Sequence, residues 1–447
     1  MNLSKDYKQY FTPDKLAAYM VNMIPNDIVH TVIDLSMGEC RLLEEAKKRW
    51  VNATLYGADI DKALIEKINK NCPYINTFYG DSLSAKLQTW KCYNKVLQQQ
   101  GFDVAIANPP FNFYNQASVC ISEYEKRTLP IEIRFLLKYI DIVKEDGYIC
   151  IILPYGFLSS DIYKNLRMQL LKQVTIIKIL KIFDRCFKKI DADTCLILMK
   201  KKKEEKNIQT KISIEYLDSN FRLSNKQTIF VNQTDRWDLE YHNLRFQTDR
   251  IANDTEFKRD IFANYVKSCR RGKSLTKQKD LLANKGIRFI HTTDVKKLYI
   301  SNKNKKFIKN TTNFFGNSVL HENDILLGRV GQGCIGKIGI VSKRYAKMFF
   351  SDCLFAIETK NINPYYLTLF LASDFGQIQL MGLAKGSCSK YITRESLFQV
   401  CVLIPDQKVQ DYFGNKYKEL LSKPGRIDKD KLFTDLLCEL NKELTKE

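Results

Sequence analysis

Histidine is scarce, with four residues in 447, and no two of the thirteen cysteines stand at C-x-x-C spacing. Together these shortages argue against a zinc site, so no metal is expected. The scattered cysteines read as reduced thiols of a cytoplasmic compartment rather than as a disulfide framework. No uninterrupted apolar run reaches the length of a membrane span. The opening MNLSKDYKQYFTP has no apolar signal-peptide core. Acidic residues are also in deficit, 50 against 71 basic, which leaves a net charge of +21. Such an excess predicts a polyanionic partner, and with no membrane signal that partner is nucleic acid. The blander reading is a lysine-rich composition with solvated surfaces. It does not explain the asymmetry: Thr255–Pro405 holds 25 basic and 10 acidic residues, a net of +15.

What is present is enough apolar and aromatic residue, 45% and 12%, to build real cores. The length predicts two domains. Over the first 200 residues short apolar strands alternate with amphipathic stretches. Strands are expected at Val29–Leu35, Ala53–Ala58, Asn76–Tyr79, Asp103–Ala107, Tyr148–Leu153, Val174–Leu180 and Thr194–Met199. Helices are expected at Arg41–Arg49, Lys62–Asn69 and Ile131–Lys144. This alternation predicts an α/β fold of Rossmann type, a mainly parallel sheet with helices on both faces. Its ligand would sit at the C-terminal strand ends. The run KKKKEEK at Lys200–Lys206 marks an exit, and residues 206–254 read as domain edge and connector. From Thr255 to Leu421 the texture is α+β and β-rich, with clustered glycines, and 422–447 reads as a charged helical tail.

The strongest motif is Asn108-Pro109-Pro110-Phe111, directly after a predicted strand. Asn108 offers a side-chain oxygen and Pro109 a backbone carbonyl. The prolines fix that carbonyl's direction and bring no N–H to compete. Two acceptors so placed can draw the N–H groups of a conjugated amine out of its ring plane and make its lone pair a nucleophile. Phe111 adds a flat face for stacking a base. Upstream, Asp34-Leu35-Ser36-Met37-Gly38-Glu39-Cys40 follows the first strand, where Gly38 permits close backbone approach. Gly57-Ala58-Asp59-Ile60-Asp61 ends the second strand with a carboxylate suited to two ribose hydroxyls. Gly80-Asp81 follows the third. Each alone has a plain reading as a turn or helix cap; four in order at four strand ends do not.

On these motifs residues 1–200 resemble the gamma-class N6-adenine DNA methyltransferases. The resemblance implies binding of S-adenosylmethionine and methylation of a flipped adenine. It assigns Gln9-Tyr10-Phe11-Thr12-Pro13 to the methionine end of the cofactor, Asp34 to Cys40 to the glycine-rich turn, and Asp59 to the ribose. Ile60 and Asp81 fall to the cofactor's adenine, Asn108 to Phe111 to catalysis, and Phe187 to a second aromatic against the target base. The family's turn usually reads Asp-Pro-x-x-Gly-x-Gly; here Leu35 replaces the Pro and Cys40 the last Gly. Cysteine tolerates positive φ poorly, so either the turn is adjusted or cofactor affinity suffers.

Residues 255–421 resemble one target recognition domain of type I restriction specificity subunits. The resemblance rests on the order of Gly272-Lys273-Ser274-Leu275, Gly286-Ile287-Arg288-Phe289-Ile290, Asp324-Ile325-Leu326-Leu327-Gly328-Arg329, Asn363-Pro364-Tyr365-Tyr366-Leu367, Ser373-Asp374-Phe375-Gly376 and Ile404-Pro405. Arg270, Arg271, Lys273, Lys277 and Lys279 form the densest basic loop and are expected on DNA phosphates. The whole reads as a monomeric modification enzyme acting on double-stranded DNA without an N-terminal nuclease domain. A cognate restriction endonuclease is its expected partner. Two alternatives stand beside it: a catalytically decayed fold that binds DNA sequence-specifically, and an enzyme acting on RNA or a protein glutamine.

Overall fold

In the computed structural model the chain divides into two compact units, Met1–Leu239 and Glu240–Glu447. The residues described are 11–111, 116–122, 125–183, 186–187, 193–203, 210–231, 236–276, 278–302, 306–309, 316, 318–331, 333–386, 390–423 and 429–445.

The first unit is built on a nine-stranded sheet. Its strands are β1 (Thr31–Asp34), β2 (Thr54–Asp59), β3 (Ile75–Tyr79) and β4 (Phe102–Ala107), then, after a separate hairpin of β5 (Gln116–Ser122) and β6 (Glu125–Pro130), β7 (Val143–Pro154), β8 (Val174–Ile182), β9 (Thr194–Lys201), β10 (Lys211–Leu217) and β11 (Leu223–Phe230). The spatial order is β11-β10-β8-β9-β7-β4-β1-β2-β3. From β3 to β7 every pairing is parallel. β4, Phe-Asp-Val-Ala-Ile-Ala, is buried at all six positions, as a central strand covered on both faces must be. The sequence suggested a mainly parallel sheet. That holds for the half from β3 to β7, whereas β9 lies antiparallel between β7 and β8. The link from Ile182 to Thr194 is too short for a crossover helix, so the chain can only return antiparallel. β10 and β11 widen the sheet beyond Lys206. The first part of the expected connector is therefore sheet edge, and the helix Leu239–Asp254 leads into the second unit.

Two devices fix the strand ends. Asp103 is buried at the start of β4 and accepts from the His30 and Thr31 backbone N–H groups, both at 2.8 Å, while pairing with Lys144. Burial works to raise its carboxyl, but Lys144 and the two N–H groups outweigh that and hold it below the usual carboxylate range. At the opposite end the Asp61 side chain caps helix Lys62–Asn71, accepting from the Ala63 and Leu64 N–H groups.

The second unit is α+β. One four-stranded antiparallel sheet has the order Val266–Arg271, Leu354–Thr359, Ile325–Gly328, Ile338–Ile340. A second holds Leu282–Ala283, Lys306–Ile308, Ile287–Ile290 and Phe349–Phe350. Helices Pro364–Ala372, Asp374–Leu383 and Gln407–Ser422 enclose a core containing Tyr366, Phe370 and Tyr417. The tail helix Lys429–Thr445 finds its partner in that same core. Phe433 stacks on Tyr299 at 5.9 Å and meets Tyr417 edge-on at 5.8 Å, and Leu436, Leu437 and Leu440 are buried beside it. Among the described residues no helix is long and apolar enough to cross a membrane.

Candidate functional site

The C-terminal ends of β1, β2, β3 and β4 open into one hollow of about 200 Å³. Leu35, Ser36 and Gly38 line it from the first turn, and Asp59 and Ile60 from the second. The third turn contributes Gly80 to Leu83, and the fourth Asn108 and Pro110. Phe11 closes one side, while Ile131 and Arg134 reach in from helix Ile131–Ile142. A smaller recess beside it is lined by Thr12, Asp34, Glu39 and Arg41, and shares Phe11, Ser36, Gly38 and Asn108.

The turn after β1 carries the geometry. Gly38 has φ +52 and its backbone lies so close to Phe11 that an added Cβ would stand 3.2 Å from the ring. The Gly38 N–H donates to Asp59 Oδ2 at 2.9 Å, and the Asp61 N–H to Asp59 Oδ1 at 2.9 Å. Asp59 thus joins the first turn to the second while its carboxylate borders the hollow. Burial raises its carboxyl, against those N–H groups. Gly57 leaves room beneath the turn for Met37, whose sulfur would be 2.2 Å from a Cβ at that position.

Leu35 stands where the resemblance expects proline. Its N–H, which proline would lack, donates to the buried Tyr139 hydroxyl at 2.8 Å, and its carbonyl accepts from Ser82 Oγ at 2.7 Å. The Tyr139 hydroxyl lies 3.4 Å from Asp34 Oδ1, and the Ser36 N–H donates to the same oxygen at 2.9 Å. Burial pushes the Asp34 carboxyl up to about 7, partly offset by these donors. The second departure, Cys40, keeps the left-handed conformation of the glycine it replaces, at φ 57 and ψ 14. The turn therefore carries a cysteine in the left-handed region. A non-glycine residue there costs roughly 1 kcal/mol, and the thiol is buried beneath the turn.

In the Asn108–Phe111 tetrapeptide the Asn108 amide nitrogen donates to Thr12 Oγ1 at 3.2 Å. This bond orients the amide, so a residue from the N-terminal motif sets how Asn108 faces the hollow. Pro109 is buried and Pro110 borders the hollow. Phe111 is half-buried against a core that includes Phe187. At 5% exposure the Phe187 ring is a core element, so the stacking role expected for it is not supported; Phe111 retains an accessible edge.

The predicted residues Thr12, Asp34, Gly38, Asp59, Ile60, Asp81 and Asn108 thus converge on the two adjoining hollows. Tyr10 lies outside the described residues. Sequence reading missed Ser82, which directly follows the Gly80-Asp81 motif, and Arg134 and Tyr139, which arrive from helix Ile131–Ile142. Phe11 was legible, since it lies within the N-terminal motif, but its contact with Gly38 was not.

In the second unit the basic loop is only partly a surface. Arg270 pairs with Asp324, whose side chain is fully buried, and contacts His321. Its guanidinium is committed to the fold, which corrects its expected role on phosphate. Arg271 is exposed and reaches Asp352 at 3.3 Å, and Lys273 is exposed. Lys277 lies outside the described residues, and Lys279 begins a short 3-10 helix. Lys285 and Lys306, on and beside the second sheet, are exposed cations that the motif search passed over.

Residues 1–268 match the model of the N-6 DNA Methylase family, and residues 260–415 match that of the Type I restriction modification DNA specificity domain. A putative type II restriction enzyme and methyltransferase from Methanocaldococcus jannaschii is 29% identical over 142 residues. That alignment spans 31% of this chain and 12% of the archaeal protein. The type IIG restriction endonuclease BpuSI aligns with 98% of this chain and 66% of its own, at 13% identity and a TM-score of 0.45. A modification subunit of a putative type I restriction enzyme from Vibrio vulnificus aligns with 50% of this chain and 56% of its own, at 14% identity and a TM-score of 0.41.

Proposed function

The chain belongs to the N-6 DNA methylase family, and on that premise we propose that it methylates the exocyclic N6 amine of an adenine in double-stranded DNA. S-adenosylmethionine is the methyl donor, and residues 260–415 select the site. The observation that carries the reading is the meeting of Asn108 and Pro110 with Asp59, Ile60 and Asp81 around one hollow.

The residues present fit a nucleoside sulfonium. Asp59 offers carboxylate oxygens at the end of β2, and Ile60, 40% exposed, offers an apolar face beside it. Asp81 is an exposed acceptor for an adenine amine. Bound there, S-adenosylmethionine supplies an activated methyl group. The chain's own work is positioning. The Asn108 amide oxygen accepts from the target amine, while its amide nitrogen donates to Thr12 Oγ1. The Pro109 carbonyl accepts the second N–H. The amine's lone pair then leaves conjugation and points toward the donor. Phe111 supports the base, which enters after leaving the duplex stack. No base is needed before transfer, because the amine attacks neutral and loses its proton afterwards.

The left-handed Cys40 and the Tyr139 bond to Leu35 both favour a working cofactor turn over a decayed one. The sequence departs from the family pattern there, yet the Leu35 N–H and carbonyl both find partners. The enzyme is proposed to act as the modification half of a restriction system. The test is incubation of the full chain with duplex DNA and isotope-labelled S-adenosylmethionine, followed by nucleoside mass spectrometry. Labelled N6-methyladenine formed by the wild type and not by Asn108→Ala is the expected result. Label on cytosine, on RNA, or nowhere would overturn the proposal.

A further inference from the structure

Beneath the cofactor turn three ligand-bearing side chains converge. Cys40 precedes helix Arg41–Arg49, Glu44 lies one helical turn further on, and Cys72 ends helix Lys62–Asn71. The two sulfurs and a Glu44 carboxylate oxygen all lie within 4.8 Å of one another. Cys72 Sγ is 3.4 Å from Glu44 Oε1. In a tetrahedral zinc site, with Zn–S about 2.3 Å and Zn–O about 2.0 Å, neighbouring ligand atoms are separated by about 3.5–3.8 Å. The cluster is therefore near ligating distance already. Both thiols are buried and Glu44 is half-buried, so the groups are shielded without being sealed.

We propose that Cys40, Glu44 and Cys72 bind one thiophilic divalent cation of the zinc type, tying the start of one helix to the end of the next. The cation would displace two thiol protons to solvent and take two thiolates and one carboxylate, leaving a fourth position for water. The donor set suits a borderline-soft ion and disfavours magnesium or calcium, which prefer all-oxygen sites. A second observation points the same way. Glycine would hold the left-handed backbone at position 40 without strain. Cysteine holds it at a cost and delivers a thiol to the cluster. Thiol ligands give up their protons to bind such a cation, so uptake should release protons. The spacing search overlooked the site because its two thiols come from different elements, brought together only by folding.

Cys40 ends the cofactor turn, so the site is tested by metal binding and not by methyl transfer. Reduced, chelator-stripped full-length protein is titrated with Cd²⁺, reading the thiolate-to-metal charge-transfer band, and with Zn²⁺ against a chromophoric chelator. One equivalent is expected to bind. Cys72→Ser and Cys40→Gly should each weaken it by about 100-fold or more. Cys40→Gly is the informative variant, since glycine suits the backbone there; its circular dichroism should match wild type. Glu44→Gln should weaken binding less. Zn²⁺ should raise the melting temperature of the wild type and not of Cys40→Gly. Equal Cd²⁺ uptake by wild type and Cys40→Gly would place the metal on other cysteines and overturn the proposal. So would conversion of Cys40 and Cys72 to a disulfide in air with no metal uptake by the reduced chain.

Discussion

Replacing Tyr139 by Phe removes one oxygen from a fully buried position and tests how this chain tolerates leucine where related sequences use proline. The hydroxyl accepts the Leu35 N–H at 2.8 Å and lies 3.4 Å from Asp34 Oδ1. Without it the Leu35 N–H is buried with its partner gone, which costs about 1–3 kcal/mol. For a unit of this size that lowers the melting temperature by about 2–4 °C per kcal/mol. A second, pH-dependent loss adds to it. Burial already pushes the Asp34 carboxyl up to about 7, and the tyrosine hydroxyl works against that shift. Removing the hydroxyl raises it further. A group with a raised folded value favours the folded state while protonated and loses that advantage as pH rises. The deficit of Tyr139→Phe should therefore be nearly constant below about pH 6 and grow above pH 7, by about 1.4 kcal/mol for each further pK unit. Urea denaturation of the full chain at several pH values measures both parts. Leu35→Pro deletes the orphaned N–H, so it should cost less in the Tyr139→Phe background than alone, with a coupling of about 1 kcal/mol or more. A Tyr139→Phe protein as stable as wild type from pH 6 to 9 would refute the reasoning.

Five further outcomes are expected. Thr12→Val should lower turnover about ten-fold by removing the hydroxyl that accepts from the Asn108 amide nitrogen; steady-state kinetics separate this from a change in the donor's affinity. Wild-type stability relative to Asp34→Asn should fall as pH rises from about 4 to 7, by up to about 4 kcal/mol at 1.4 kcal/mol per unit. A flat difference across that window would mean the carboxyl is not raised. Asp59→Asn should weaken S-adenosylmethionine binding, read by calorimetry; unchanged affinity would remove the ribose contact. Arg270→Ala should destabilise by about 3–5 kcal/mol, because it removes the cation paired with buried Asp324. Lys273→Ala and Lys306→Ala should leave stability alone and each reduce the salt dependence of DNA binding by about one counterion.

Much of the catalytic unit was legible because its information is local. Strands β1 to β4 alternate with helices, and each binding motif follows a strand within a few residues, so periodicity and turn chemistry locate both. Helix Arg41–Arg49 was read to the residue for the same reason. The charge excess of Thr255–Pro405 marked the second unit before any coordinate was known.

Contacts between distant segments were not legible. Nothing near Leu35 in the chain reveals that Tyr139 satisfies its N–H, or that Ser82 holds its carbonyl. A run of cations does not disclose that Arg270 is spent on a buried carboxylate while Lys306 remains exposed, since burial is decided by sheet pairing. The order of the motifs along the chain determined the fold class and the residues that face the hollow. Only the tertiary structure decided which residues hold others in place and which thiols meet, because hydrogen bonds and desolvation depend on separation in space and not on position in sequence.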